Sequence, residues 1–180
     1  MNTLKQAFIV IALTAAGALT AMAAASPHET VKATIAGNAI SLTYGRPFSK
    51  KPGTDTVRVI WGTLVPWEKA WRLGADQGTT LVTEKAIVIG GTTVPAGTYT
   101  LYMVPSEKGT SKLAISKTTG KWGIPVDEKN DLARVDLKKS DLDKTVDELT
   151  ISIEAAGSGG VLKIQWEKSQ YAVEFANAAP

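Results

Sequence analysis

Between Leu149 and Trp166 the chain alternates apolar and polar residues on both sides of a glycine cluster. Leu149, Ile151 and Ile153 alternate with Thr150, Ser152 and Glu154, and Leu162, Ile164 and Trp166 alternate with Lys163, Gln165 and Glu167. A period of two places successive side chains on opposite faces of an extended chain, so each half is a strand with one apolar face. Gly157-Ser158-Gly159-Gly160 closes them into a hairpin.

The same pattern recurs upstream. Ile40, Leu42 and Tyr44 alternate with Ser41 and Thr43. Thr79 to Thr83 and Ala86 to Ile89 are short β-branched runs, the second followed by the turn Gly90-Gly91. Tyr99, Leu101 and Met103 share a face after Pro95-Ala96-Gly97, Leu113 and Ile115 mark another strand, and Leu132 to Leu137 one more. Tyr171, Val173 and Phe175 read as a separate last strand, followed by a frayed tail from Ala176 to Pro180. Nine or ten strands with one apolar face each predict an all-β antiparallel sandwich, or a barrel-like variant of one. Helix is expected only as one turn near Ser140 to Lys144, where Ser140 would cap, and residues 50–56 as an exposed loop.

The first 25 residues are read as a leader. Lys5 gives a basic start, Ala7 to Leu19 is apolar except for Thr14, and Ala21-Met22-Ala23-Ala24-Ala25 supplies the small residues of a cleavage site. The apolar run is too short to span a bilayer, so it is a signal peptide cut after Ala23 or Ala25 rather than an anchor. Residues 26–180 then form one domain, periplasmic or secreted, with no integral membrane span. A chain of that size buries roughly 70 % of its unfolded surface on folding.

Composition narrows the chemistry. There is no cysteine, which removes disulfides, thiolate metal sites, thiol nucleophiles and a lipid anchor together. One histidine, His28, stands near the start of the mature chain, where an exposed position in a mobile segment is the expectation. No Gly-x-Ser-x-Gly elbow exists, and a lone histidine makes neither a zinc site nor a Ser-His-Asp relay easy to assemble. Asp127 to Asp131 has the acidity of a calcium loop but not its order: Lys129 holds the third position and Leu132 the sixth. The expectation is no metal and no cofactor. A net charge of +3, with Lys50-Lys51 and Lys138-Lys139 as the longest basic runs, argues against nucleic acid or an anionic membrane as an obligatory partner.

Two segments hold the residues best suited to recognition. Residues 61–80 contain three of the five tryptophans, and Tyr44-Gly45-Arg46-Pro47 adds a phenol and a guanidinium. Arginine holds carboxylates in a two-bond fork or stacks on rings, and aromatic platforms hold sugars and small acids. The candidate ligand-binding residues are Tyr44, Arg46, Trp67, Trp71, Arg72 and Asp76. In the competing, structural reading, Arg72 pairs with Asp76 four residues on and the tryptophans fill the mouth of the sandwich.

Taken together, YGRP at 44–47, Trp61-Gly62, LVPW at 64–67, WRLGADQGTT at 71–80 and VPAGTYTLYMVP at 94–105 are similar to a bacterial family of unknown function, numbered 2911. Ser26-Pro27 and Trp122-Gly123 fit the same order, and the resemblance covers about residues 26 to 175. Ser49 to Val59 is longer than the link expected between the YGRP and Trp-Gly motifs, an insertion that would change a loop and leave the core intact. The resemblance implies an exported, single-domain bacterial protein and assigns no catalytic residue. Three functions stay open: a non-catalytic binding sandwich for a small molecule, glycan or protein; a carboxylate-dependent hydrolase using Asp76 and a second acid; or an envelope protein pairing through a sheet edge. The residue set favours the first.

Overall fold

A computed structural model describes residues 26–120 and 123–179. The predicted signal peptide and Trp122 lie outside the described residues. Ten strands follow in order: β1 (His28–Ile35), β2 (Asn38–Gly45), β3 (Thr79–Thr83), β4 (Ile87–Ile89), β5 (Thr92–Val94), β6 (Gly97–Val104), β7 (Lys112–Ser116), β8 (Asp131–Asp136), β9 (Lys138–Ala156) and β10 (Gly159–Asn177). They form two antiparallel sheets, ordered β1-β2-β3-β6-β7-β8 and β5-β4-β10-β9. The predicted sandwich is the observed one.

Hairpin chemistry explains the tight joins. Ala36 and Gly37 both have positive φ, and Ile35 pairs with Asn38 across them. Gly90 and Gly91 do the same between Ile89 and Thr92. Two left-handed residues are what a right-twisted two-residue hairpin demands. β1 itself escaped the sequence reading although Val31, Ala33 and Ile35 alternate; its outward residues are exposed, and of its inward ones only Ile35 is fully buried.

Three local expectations fail. Ser140 to Lys144 is not helical: it belongs to β9, with Ser140 opposite Gln170 and Asp141 opposite Ser169. The only helical turn among the described residues is a 3-10 turn, Glu128–Asn130, capped by Asp127. The stretch at 140–144 carries little apolar periodicity of its own, so the neighbouring strand decides its state.

Second, Tyr171 to Phe175 is no separate strand. Residues 159–177 form one strand whose inward set switches from even numbers (Leu162, Ile164, Trp166) to odd (Tyr171, Val173, Phe175). Register shifts flank Glu167, which has φ +54. A bulge there absorbs the change of parity and keeps both halves facing the core.

Third, residues 176–177 are tied down. Asn38, fully buried on β2, donates to Thr83, the Lys85 carbonyl and the Asn177 side chain at 3.0, 3.2 and 3.0 Å. Its own side-chain oxygen accepts the Lys85 N–H at 2.9 Å, and Asn177 donates to the Ile35 carbonyl at 3.0 Å. A buried amide whose hydrogen bonds are all met is tolerated in a core, and here it fixes the end of β10.

Candidate functional site

The block from Trp61 to Gly78 has little regular structure, and its position is set by backbone clips. Trp71 exchanges two hydrogen bonds with Met103 beyond the end of β3, at 2.7 and 2.8 Å. Glu68 N–H donates to the Pro105 carbonyl at 2.8 Å. Its other anchor is a contact between two glycine-containing turns. A Cβ added at Gly45 would stand 2.3 Å from the Ala75 carbonyl oxygen, and Ala75 N–H donates to the Gly45 carbonyl at 3.3 Å. The YGRP and WRLGADQG segments therefore meet backbone to backbone, as only glycine permits. Gly78 and Gly123 meet in the same way, which brings Gly123 and Ile124 against the block. Glu68, Leu73 and Asp76 all have positive φ near +60°. Non-glycine residues in that region are strained by roughly 1–2 kcal/mol each, and such strain concentrates at ligand sites and switches.

Within this frame the tryptophans build on one another. Trp71 stacks on the buried Trp166 of β10 (5.9 Å between centroids, 17° between planes). Trp61 meets Trp71 and Trp166 edge-on at 6.0 and 6.5 Å and lies 5.0 Å from Tyr171. Trp67 stacks on Trp61 at 6.1 Å, and Lys139 of β9 holds its ammonium 5.7 Å from the Trp67 ring. Edge-on and offset contacts of this kind each add about 1 kcal/mol beyond burial. Burial also pushes the Tyr171 phenol up to about 12. The indole nitrogens of Trp61 and Trp166 are buried and meet no partner among the described residues.

Five of the six sequence candidates divide into two groups, and the sixth, Trp67, packs on Trp61 outside both. Tyr44 and Arg46 form a latch between the sheets. The Tyr44 hydroxyl donates to Glu29 at 3.2 Å and accepts the Ile151 N–H at 2.9 Å. Burial, with the Glu29 charge in support, pushes that phenol up to about 12. Arg46 pairs with Glu29 and Glu148, both at 3.0 Å, and donates to the Leu149 carbonyl and the Thr150 hydroxyl, both at 3.2 Å. Four partners on one guanidinium leave little for a ligand.

Trp71, Arg72 and Asp76 instead line a cleft of about 380 Å³, with Leu64, Pro66 and Ile124 as its apolar wall. Trp67 does not line it. Arg72 Nη1 donates to the backbone carbonyl of Asp76 at 2.6 Å, so the predicted pairing involves the main chain. The Asp76 carboxylate meets His28 Nε2 at 3.1 Å. His28 arrives there because β1 pairs with β2 in a register that sets it opposite Gly45. It is a half-exposed strand residue and not part of a loose terminus. Sequence reasoning missed this contact, along with Glu29, Glu148 and Ile124. The alternation in β1 was a usable signal for the first two of these strand positions; nothing local marks Ile124.

A second cavity, about 360 Å³, opens on the other side of Ile124, among Thr100, Tyr102, Ser116, Thr118 and Pro125. Behind it, Tyr102 donates to Asp131 at 2.5 Å while Arg134 donates to both at 2.6 and 2.7 Å. Burial and the Asp131 hydrogen bond raise the Tyr102 phenol. Among the described residues no group of three or more His, Asp or Glu side chains could hold a metal ion. No described helix is long and apolar enough to cross a membrane.

Two antiparallel sheets of six and four strands, with an irregular tryptophan-rich flap across one end, define an all-β sandwich. The chain belongs to the DUF2911 family, described as a protein of unknown function, whose family model matches residues 26–175. No curated protein and no solved structure matches it.

Proposed function

We propose that this is an exported, non-catalytic binding protein whose ligand occupies the cleft of Trp71, Arg72, Asp76 and Ile124. The observation that carries the reading is the state of Trp71. One face is held against Trp166 at 5.9 Å, yet the residue still contributes to the cleft wall. A ring held in place by its neighbours is a preorganised platform, and ligand binding there costs little ordering. The apolar wall beside Arg72 and the His28–Asp76 pair suits a small molecule with one flat or apolar face and a polar edge, as a sugar or small organic acid has. The contact between Asp76 and an imidazole favours binding over hydrolysis by paired carboxylates, which need a second acid at a defined separation. Export is supported by the leader composition alone.

Thermal-shift screening against sugar and organic-acid libraries, followed by Asp76→Asn and Ile124→Ser variants, tests the proposal. A ligand that raises the melting temperature of the parent but of neither variant supports the site. A ligand whose shift survives both substitutions places binding elsewhere, and no shift from either library removes the reading.

A further inference from the structure

Four of the six exposed large apolar side chains among the described residues fall within 17 positions: Phe48, Val57, Val59 and Leu64, at 47, 57, 67 and 42 % exposure. Backbone pairing brings their segments together. Ser49 N–H donates to the Asp147 carbonyl at 2.6 Å and Leu149 N–H to that of Pro47 at 3.0 Å, so residues 47–49 extend the sheet beyond β9. Arg58 N–H donates to Ser49 at 2.9 Å, Lys50 bridges to Val57, and Leu64 N–H donates to Val59 at 3.2 Å. The tip of this apron projects: a Cβ added at Gly53 would meet nothing within 4 Å.

The apron is also cationic. A cleft of about 430 Å³ is lined by Phe48, Lys50, Lys51, Pro52 and Arg58, among others. Lys50 pairs with Asp55 at 3.2 Å. Arg58 donates to the carbonyls of Phe48 and Ser49, and neither Arg58 nor Lys51 is in an ion pair among the described residues. The formal charge of the whole chain conceals this local surplus.

We propose that the 47–64 apron is a peripheral docking surface for an anionic phospholipid bilayer. Lys51 and Arg58 would face the phosphates, and Phe48, Val57 and Val59 would enter the interface. Exposed apolar groups rimmed by cations are stabilised at an acidic lipid surface by both burial and charge. The uncompensated cations disfavour a second copy of the chain as the occupant, since two such aprons would repel each other.

Sedimentation with vesicles decides the matter. The protein should pellet with phosphatidylglycerol/phosphatidylcholine vesicles at low salt, stay in solution with phosphatidylcholine alone, and be released at high salt. Val57→Asp/Val59→Asp and, separately, Lys51→Glu should each lower partitioning about tenfold, as charge changes at a membrane surface imply. Circular dichroism melting should be unchanged, because all three side chains are exposed. Failure to pellet with the acidic vesicles would overturn the proposal, as would wild-type binding by both folded variants. Binding of soluble dihexanoyl phosphatidylglycerol without vesicle binding would overturn it too, showing a single-molecule site in the cleft.

Discussion

Tyr44-Arg46 and Trp71-Arg72-Asp76 lie on either side of the Gly45–Ala75 contact and contain the same kinds of groups, yet they do different work. In the first, Tyr44 and Arg46 are met by Glu29 on their own sheet and by Glu148 and Ile151 on the other. In the second, an arginine and an acid take part in a cleft wall, and the acid's partner, His28, is half exposed. The lesson is that residue type marks neither site nor scaffold. What separates them is where the polar groups stand: one set bridges the two sheets, and the other lines a cleft.

The sharpest way to break the comparison is to part the two groups. Gly45→Ala forces a methyl to within 2.3 Å of the Ala75 oxygen, a backbone atom that cannot swing aside. It should cost about 3 kcal/mol, the upper range for overpacking, read from the denaturant midpoint. Alkaline titration acts on the latch next. The Tyr44 phenol is raised from 10.0 to about 12 in the fold. Its neutral form thus favours the folded state fully below pH 10, and that contribution disappears as pH rises through about 12. It amounts to about 2–3 kcal/mol, and Tyr44→Phe should flatten part of the stability loss over that window. Arg46→Ala leaves Glu29 and Glu148 without their cation at a part-exposed site and should cost about 2 kcal/mol. Asp76→Asn, by contrast, should alter stability by no more than about 0.5 kcal/mol, since its pair with His28 is solvent-accessible, while removing any ligand-induced shift. A large loss of stability in Asp76→Asn would erase the distinction between the two groups.

The sheets were legible because their evidence is local. Period-two alternation identified β2, the last part of β9 and the first half of β10, and paired glycines marked the turn after β4, though β5 beyond it was not read as a strand. The bulge at Glu167 was also written in the parity of the buried residues, but only a continuous strand makes that parity meaningful. The candidate site was legible as composition and illegible as geometry. Tyr44, Arg46, Trp71, Arg72 and Asp76 do converge on one end of the molecule. Whether Arg46 is saturated depends on Glu148, 102 positions away in the chain, and no pattern around either residue encodes that contact. The cleft likewise depends on Ile124, brought over Trp71 by a glycine–glycine approach between positions 78 and 123.

The order of strands has a consequence for how the chain must fold. β4 and β5 come from the middle of the sequence, but β4 finds its second neighbour only in residues 175–177 of β10. The four-stranded layer therefore cannot close over the core until the last strand has been made, while loop closure across some 86 residues slows its docking. During synthesis from the N-terminus, the four-stranded cover of the larger sheet therefore stays incomplete until β10 has emerged.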